Sequence, residues 1–331
     1  MTANNQNSYT SELPVYLSFD GGGSYGRAIL FNDEGLLGYG ESGGTNTNFS
    51  SLEDCRRNIA QCLDQALKNP AHRVIDMLYA VVIGPGSVLE EEIMKRAILK
   101  DSRFISEGYA CLISGIGRSP GIVALSGTGS VSYYINNENN ITNIGGAGSI
   151  LGDYGSGFWI GQQALRKTIE YGEGRGESTI FLEMILQEWN IRSFKGIIST
   201  VHGMEAPFRK VASVVPLAAE AASKGDHVCQ TIFKEAGRHM AEQTLTLIKK
   251  TKPEIHDKIC VCCGGTWKAN PIMYESFVQI MTKDSPNVQV KKPSFDPVMA
   301  GVIIRVLEHN KNLNFSTDPM FESYNDFRSN W

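Results

Sequence analysis

A five-residue segment that returns is the strongest constraint in this chain. Asp20-Gly21-Gly22-Gly23-Ser24 reappears as Ser126-Gly127-Thr128-Gly129-Ser130, 106 positions on (20 to 126), with three identities in five. Each copy lies between two short apolar runs, Val15–Phe19 and Arg27–Phe31 in the first half, Gly121–Leu125 and Val131–Ile135 in the second. Runs of this length bounded by turn residues read as strands. Strand, loop and strand in the same order twice predict a duplicated domain. A chain of 331 residues is long enough for two domains of ordinary size.

The remaining pattern alternates strands with helices, which predicts α/β layers. After the first hairpin come the turn at Asn32–Gly35 and a strand at Leu36–Gly40. Ser51 then caps a helix with Asp54 three residues on and Cys55, Ile59, Cys62 and Leu63 on one stripe. Met77–Ile83 reads as a strand, Glu90–Leu99 as a helix and Arg103–Ser106 as a short strand. In the second half the expected helices are Phe158–Tyr171, Ile180–Trp189, Pro207–Ser223 and His227–Lys250. Lys258–Cys263 is a strand ending in Gly264-Gly265-Thr266, before a helix at Pro271–Ile280. Asp296 and Pro297 supply a cap and a first position for the last helix, Val298–Glu308. The tail to Trp331 is polar with scattered aromatics, which predicts a poorly ordered segment.

Composition excludes several classes. With 42% hydrophobic and 20% charged residues the chain is too apolar for intrinsic disorder. A net charge of −4 and sparse lysines (Lys250, Lys252, Lys291, Lys292) exclude a nucleic-acid partner. No run approaches the ~18 apolar residues of a membrane span, so no membrane partner is expected. The polar, Asn- and Ser-rich start has no signal-peptide pattern. Seven cysteines, an odd number set in apolar patterns, read as reduced core thiols, and the expected location is cytoplasmic. The six histidines share no metal-ligand spacing. Glycine is in surplus, 34 residues against a usual ~7%, and it clusters in the loops.

Such loops have a chemical meaning. A glycine-rich turn leaves its N–H groups open toward one anion, and a hydroxyl at its end (Ser24, Thr128, Ser130) adds a donor for phosphate oxygens. A hairpin also uses glycine for geometry alone; two matching loops favour the anion reading. Neither loop precedes a helix and no GxxxxGK[ST] occurs, so P-loop and Rossmann readings fail. Asp20 is either a water-mediated Mg²⁺ ligand or a turn cap. Gly264-Gly265-Thr266 either lets an adenosine approach the backbone or makes a plain turn. Asp153, in Gly152–Gly157, is either the next helix's cap or a polar ligand to a substrate. Tyr171–Glu177 reads as a solvated linker carrying Arg175.

Taken together, FDGGGS at Phe19–Ser24, GGTNTNF at Gly43–Phe49, LSGTGS at Leu125–Ser130, GGAGSILGDYGSGFWIGQQA at Gly145–Ala164 and CCGGTWKA at Cys262–Ala269 resemble the acetate-and-sugar-kinase, actin and heat-shock-chaperone superfamily. Within it they are similar to the N-acetylglucosamine kinase branch of the BadF/BadG/BcrA/BcrD ATPase family. The resemblance implies two RNase-H-like domains, 1–118 and 119–296, the second with helical insertions. ATP would lie in the cleft between them, a helix at about 297–309 would return to the first, and 310–331 would be the tail. It implies an ATP-dependent amino-sugar kinase that uses Mg²⁺ and is a homodimer. Gly22, Gly23, Ser24 and Thr128 correspond to phosphate-side positions, and Gly265 and Ala269 to adenosine-side ones. Asn46 (with Asn48 two residues away), Ser130, Gly146, Ala147, Gly148 and Asp153 fall where the sugar is held, and Asp20 where the metal is.

There are departures. Glu107 stands where the family has its catalytic aspartate; one methylene longer, it needs a retracted side chain to serve as base. Ala147 stands in place of a tryptophan and Tyr154 in place of a glutamate, which enlarges and remodels the sugar pocket. The expected acceptor is N-acetylglucosamine or a relative such as N-acetylmuramic acid or glucosamine. Two other readings stand beside it: an ATPase activator holding an iron–sulfur cluster through Cys260, Cys262 and Cys263, and a non-catalytic sensor that has lost its base.

Overall fold

The computed structural model describes residues 13–204, 207–254 and 258–309, together with Phe321 and Tyr324. In the first half, β1 (Tyr16–Gly21), β2 (Tyr25–Asn32) and β3 (Gly35–Gly43) form an antiparallel meander. Helix α1 (Leu52–Ala66) follows, its first turn closed by Ser51, whose Oγ accepts from Asp54 N at 3.1 Å. A small ladder pairs β4 (Val74–Ile75) with β6 (Ile98–Leu99), while β5 (Met77–Val82) and β7 (Ser102–Phe104) extend the main sheet in parallel. Its strand order is β3-β2-β1-β5-β7. Helices α2 (Gly86–Met94) and α3 (Glu107–Ile116) complete this half.

The second half repeats the plan. Strands β8 (Gly121–Ser126), β9 (Ser130–Ile135) and β10 (Ile141–Gly145) form a meander, and β11 (Ile259–Cys263) and β12 (Gln289–Lys291) join in parallel. The order β10-β9-β8-β11-β12 matches the first sheet position for position. Between β10 and β11 lie α4 (Gly148–Leu151), α5 (Gly157–Gly172), α6 (Phe181–Glu188), α7 (Phe194–His202), α8 (Phe208–Ala212), α9 (Val215–Ser223) and the long α10 (His227–Thr251). After β11 come α11 (Thr266–Ala269) and α12 (Pro271–Asp284), and α13 (Ala300–His309) closes the fold.

Alternation along the strands assigns each face to a layer. Leu17 and Phe19 of β1 pack toward α1 and α2 with Ile59, Leu63, Leu89 and Ile93, while Tyr16 on the opposite face joins Val302 and Ile303 of α13. Ser18 shares that second face and is satisfied there: its hydroxyl donates to Val298 O at 2.6 Å and accepts from Gly301 N at 3.2 Å. Helix α3 is shared between the halves. Ala110 and Ile113 pack with the first sheet, and Cys111 and Leu112 with Val123 and Val261 of the second. That placement drives the N-terminus of α3, and Glu107 with it, into the cleft between the sheets.

Several expected boundaries move. The helix expected at Glu90–Leu99 is Gly86–Met94, because Val88, Leu89 and Ile93 form its buried stripe and Ile98–Leu99 leaves to pair with β4. The single helix expected at Pro207–Ser223 divides into α8 and α9 at Ser213 and Val214, just ahead of Pro216, which supplies no N–H to a preceding turn. Helix α7 lies in a stretch given no element. Asp296 makes no capping bond; its carboxylate instead accepts from Lys268 Nζ at 3.0 Å and Tyr324 Oη at 3.2 Å. Phe321 and Tyr324 are buried against Phe295, so these two tail residues pack firmly; the rest of the tail lies outside the described residues.

Candidate active site

Each glycine loop is a tight bend at a hairpin end. Gly22 N donates to Tyr25 O at 2.9 Å in the first, and Gly127 N to Gly129 O at 2.9 Å in the second. The sheets are oriented so that the loops meet: Ser24 Oγ lies 2.9 Å from Thr128 Oγ1. These hydroxyls, 104 residues apart, are the end groups that the repeat identifies as anion donors. Arg209 of α8 crosses the same gap, donating to Ser24 O and Ser50 Oγ, both at 3.3 Å.

Around them opens a cleft of about 2260 Å³, larger than the ~300–1,000 Å³ of a single-ligand pocket. The residues that the resemblance assigns to phosphate, adenosine, sugar, metal and base all line it. Asp20, Gly22, Gly23 and Ser24 lie on the first loop, Thr128 and Ser130 on the second, and Asn46 on the segment after β3. Gly146, Ala147, Gly148 and Asp153 form one wall, Gly265 and Ala269 another, and Glu107 lies between. Nothing in this set is stranded elsewhere in the fold.

The polar groups are held in place locally. Asn46 is buried, and its Oδ1 accepts from Asn48 N at 2.8 Å, leaving Asn48 exposed. Ser130 is buried and donates to Tyr154 O at 2.9 Å. Of the two readings of Asp153 the cap is excluded: Ser156 is the cap of α5, accepting from Trp159 N at 3.1 Å. Asp153 instead adopts φ 53°, rare for a side-chain-bearing residue, while its buried carboxylate accepts backbone N–H bonds from Ser130 and Gly148. Burial raises its pKa and those two bonds lower it, the first prevailing.

The two carboxylates at the centre are both hard to ionise. Desolvation, and then the charge of Glu107, push Asp20 up to about 7, against a lowering pull from Arg27. Glu107 is raised by desolvation and by Asp153, and lowered by a hydrogen bond from Tyr133 Oη at 3.0 Å. Tyr133 was not singled out in the sequence: a tyrosine in an alternating strand reads as half-buried packing, and only the fold brings α3 beside it. Ile150 and Leu151 were missed too. At 82% and 80% exposure they give the cleft an apolar lip. Ser149 beside them has a buried hydroxyl with no partner.

The third glycine site abuts the second loop. Thr266 Oγ1 donates to Gly127 O at 3.1 Å, and Gly264 has φ 104° with Ser126 O where a Cβ would lie. The cysteine run behind it is core. Cys260 and Cys262 pack with Ile122 and Phe277, and Cys263 lies on the opposite face, its thiol donating to Cys111 O at 3.5 Å. Among the described residues no group of three or more His, Cys, Asp or Glu is arranged to hold a metal, and no helix is long and apolar enough to cross a membrane. Arg175 pairs with Glu170 and Glu173 on the surface.

The sequence model of the BadF/BadG/BcrA/BcrD ATPase family matches residues 19–303. The chain is 26% identical over 301 residues to an N-acetylmuramic acid/N-acetylglucosamine kinase of Clostridium acetobutylicum, covering 88% of this chain and 98% of that one. Its fold is similar to a candidate N-acetylglucosamine kinase of Porphyromonas gingivalis, with TM-score 0.67 at 18% identity over 89% and 99% of the two chains. A ROK family glucokinase of Streptomyces griseus, solved with glucose and AMPPNP, superposes with TM-score 0.56 at 14% identity over 87% and 97%. These structures share the two-domain actin-like fold with this chain.

Proposed function

The chain belongs to the BadF/BadG/BcrA/BcrD ATPase family, and from that premise we propose that it is an ATP-dependent kinase acting on the primary hydroxyl of an N-acetylhexosamine. The observation that carries the reading is the approach of Ser24 and Thr128 across the cleft, with Glu107 and Asp153 lining the same space. The two hairpin loops offer donors to a polyphosphate from both sides, and carboxylates stand where an acceptor hydroxyl would enter. Such an arrangement suits phosphoryl transfer, which depends on positioning and charge stabilisation. The kinase name of the Clostridium relative supports the substrate class. Residues 1–118 and 119–296 are then the two closing domains, with the 297–309 segment returning to the first.

In this reading Gly22, Gly23, Ser24 and Thr128 face the phosphates, and Gly265 and Ala269 the adenosine. Asn46, Ser130, Gly146, Ala147, Gly148 and Asp153 hold the sugar. The sugar hydroxyl gives its proton to Glu107 as its oxygen forms a bond to the γ-phosphorus. The bond from that phosphorus to the bridging oxygen breaks, and ADP leaves. Asp20 suits the Mg²⁺ that accompanies the nucleotide. Mg²⁺ prefers one or two carboxylates with phosphate and water, and a carboxylate lifted to about 7 gains its charge at neutral pH most readily beside a cation. Bound there, the ion supplies charge neutralisation on the phosphates. Ala147 and the lip of Ile150 and Leu151 leave space beside the sugar, which favours a bulkier acceptor such as N-acetylmuramic acid alongside N-acetylglucosamine.

Coupled ADP release tests this with N-acetylglucosamine, N-acetylmuramic acid, glucosamine, N-acetylmannosamine and glucose side by side. At least one N-acetylated sugar should stimulate ADP release strongly, and Glu107→Ala should cut the single-turnover rate by about 10²–10⁴-fold, the usual worth of a general base. ADP release indifferent to every sugar would discard the kinase reading in favour of an ATPase or sensor. An unchanged rate in Glu107→Ala would remove Glu107 from its role.

A further inference from the structure

Glu107 opens α3, and its side chain reaches the cleft from the helix shared by both sheets. Among the described residues its carboxylate has one hydrogen-bond partner, the hydroxyl of Tyr133 on β9, 3.0 Å from Oε2. Glu107 also lines the cleft that an acceptor would enter. Next along the helix is Gly108, buried, and a Cβ there would meet Tyr133 Cγ at 2.7 Å. Glycine is a poor helix former, so its place in this first turn calls for an explanation, and the tyrosine ring supplies it. The Cβ and near edge of the tyrosine occupy the position where a side chain would grow.

We propose that Tyr133 is the positioning residue of the active site: its hydroxyl retracts the glutamate arm and fixes which carboxylate oxygen meets the acceptor. A glutamate has one more rotatable bond than an aspartate, and this hydrogen bond removes that freedom. The groups facing Glu107 are Tyr133 from β9, Asp153 from the loop before α5, Asp20 from β1 and Cys111 one turn along α3. None of these is a cation. Desolvation and Asp153 disfavour the carboxylate anion, and the Tyr133 hydroxyl is the group that favours it. The residue therefore governs where the base stands, and the proton affinity of the carboxylate reports that bond. This inference rests on the assignment of Glu107 as base, and its test separates the two.

The experiment follows the Glu107 carboxyl by NMR in protein labelled at the glutamate side-chain carboxyl carbon, the resonance assigned by its loss in Glu107→Gln. The kcat–pH profile is measured on the same samples. In Tyr133→Phe the titration midpoint of Glu107 should rise by about one unit, as expected for a carboxylate that loses a hydrogen-bond donor. The acid limb of kcat should move up with it, so that kcat near pH 6 falls about tenfold and recovers in part at high pH. Gly108→Ala keeps the phenol and displaces its ring, and should shift the midpoint in the same direction if the phenylalanine variant folds poorly. An unmoved midpoint in both variants overturns the proposal, as does a loss of kcat that is uniform across pH. A shifted midpoint in a protein whose wild type releases no ADP in response to any sugar would leave the Tyr133 assignment standing and overturn the kinase reading.

Discussion

Asp20 is a carboxylate in a place that disfavours charge. Burial beside Glu107 lifts it to about 7, far above the ~3.9 of an unfolded chain. The folded protein therefore keeps a proton that the unfolded chain has already lost. For this group stability is full below about pH 4, declines as pH rises toward 7 and levels off above, each unit of displacement being worth about 1.4 kcal/mol at most. Asp20→Asn removes that loss. In metal-free protein the melting temperature of the asparagine variant should exceed wild type by a margin that widens from pH 4 to pH 7 and then holds. Scanning calorimetry across that range checks it, and a margin independent of pH would contradict the buried-carboxylate account. The same variant should lose kinase activity, because an asparagine has no charge to offer a cation. At this scale the sequence was informative where chemistry requires a residue type. Asp20, Ser24, Thr128 and Asp153 all line the cleft. Tyr133 was not legible, because its partner is 26 residues away and reaches it only through the packing of α3.

At the scale of elements, the glycine loops do two different jobs, and Gly264 and Gly265 separate them. Gly264 has φ 104° and no room for a Cβ beside Ser126 O, so Gly264→Ala should destabilise the protein by about 1–3 kcal/mol, a typical cost of enforced backbone strain. Gly265 has open space around it and no positive φ. Gly265→Ala should therefore leave the melting temperature nearly unchanged and raise KM for ATP more than KM for sugar, because only an approaching adenosine would feel the methyl. Thermal melts with paired KM values test this; equal destabilisation by both variants would contradict it. Strand and loop positions were legible because the strands are short apolar runs closed by glycine. Helix ends were less so. Glu90–Leu99 carries helical spacing, yet Ile98 and Leu99 gain more by completing a ladder with Val74 and Ile75. Asp296 resembles a cap, but Lys268 and Tyr324 are stronger partners for its carboxylate than the N-terminus of a 3₁₀ turn.

At the scale of the molecule, one repeat accounts for the architecture. An offset of 106 residues relates two sheets with the same strand order, and each contributes a glycine hairpin to the cleft between them. What the repeat does not specify is how the sheets face one another. That comes from α3, whose alternate faces pack on both, and it is why the cleft has its catalytic candidate at the shared helix's first residue. The central claim is that the cleft transfers phosphate to a sugar instead of merely hydrolysing ATP. Proton–phosphorus correlation NMR of the product formed from ATP, Mg²⁺ and N-acetylglucosamine or N-acetylmuramic acid decides this. The expected result is a single sugar phosphate whose phosphorus couples to the protons of the primary carbon, formed in step with ADP. Inorganic phosphate in step with ADP, and no sugar ester, would contradict it.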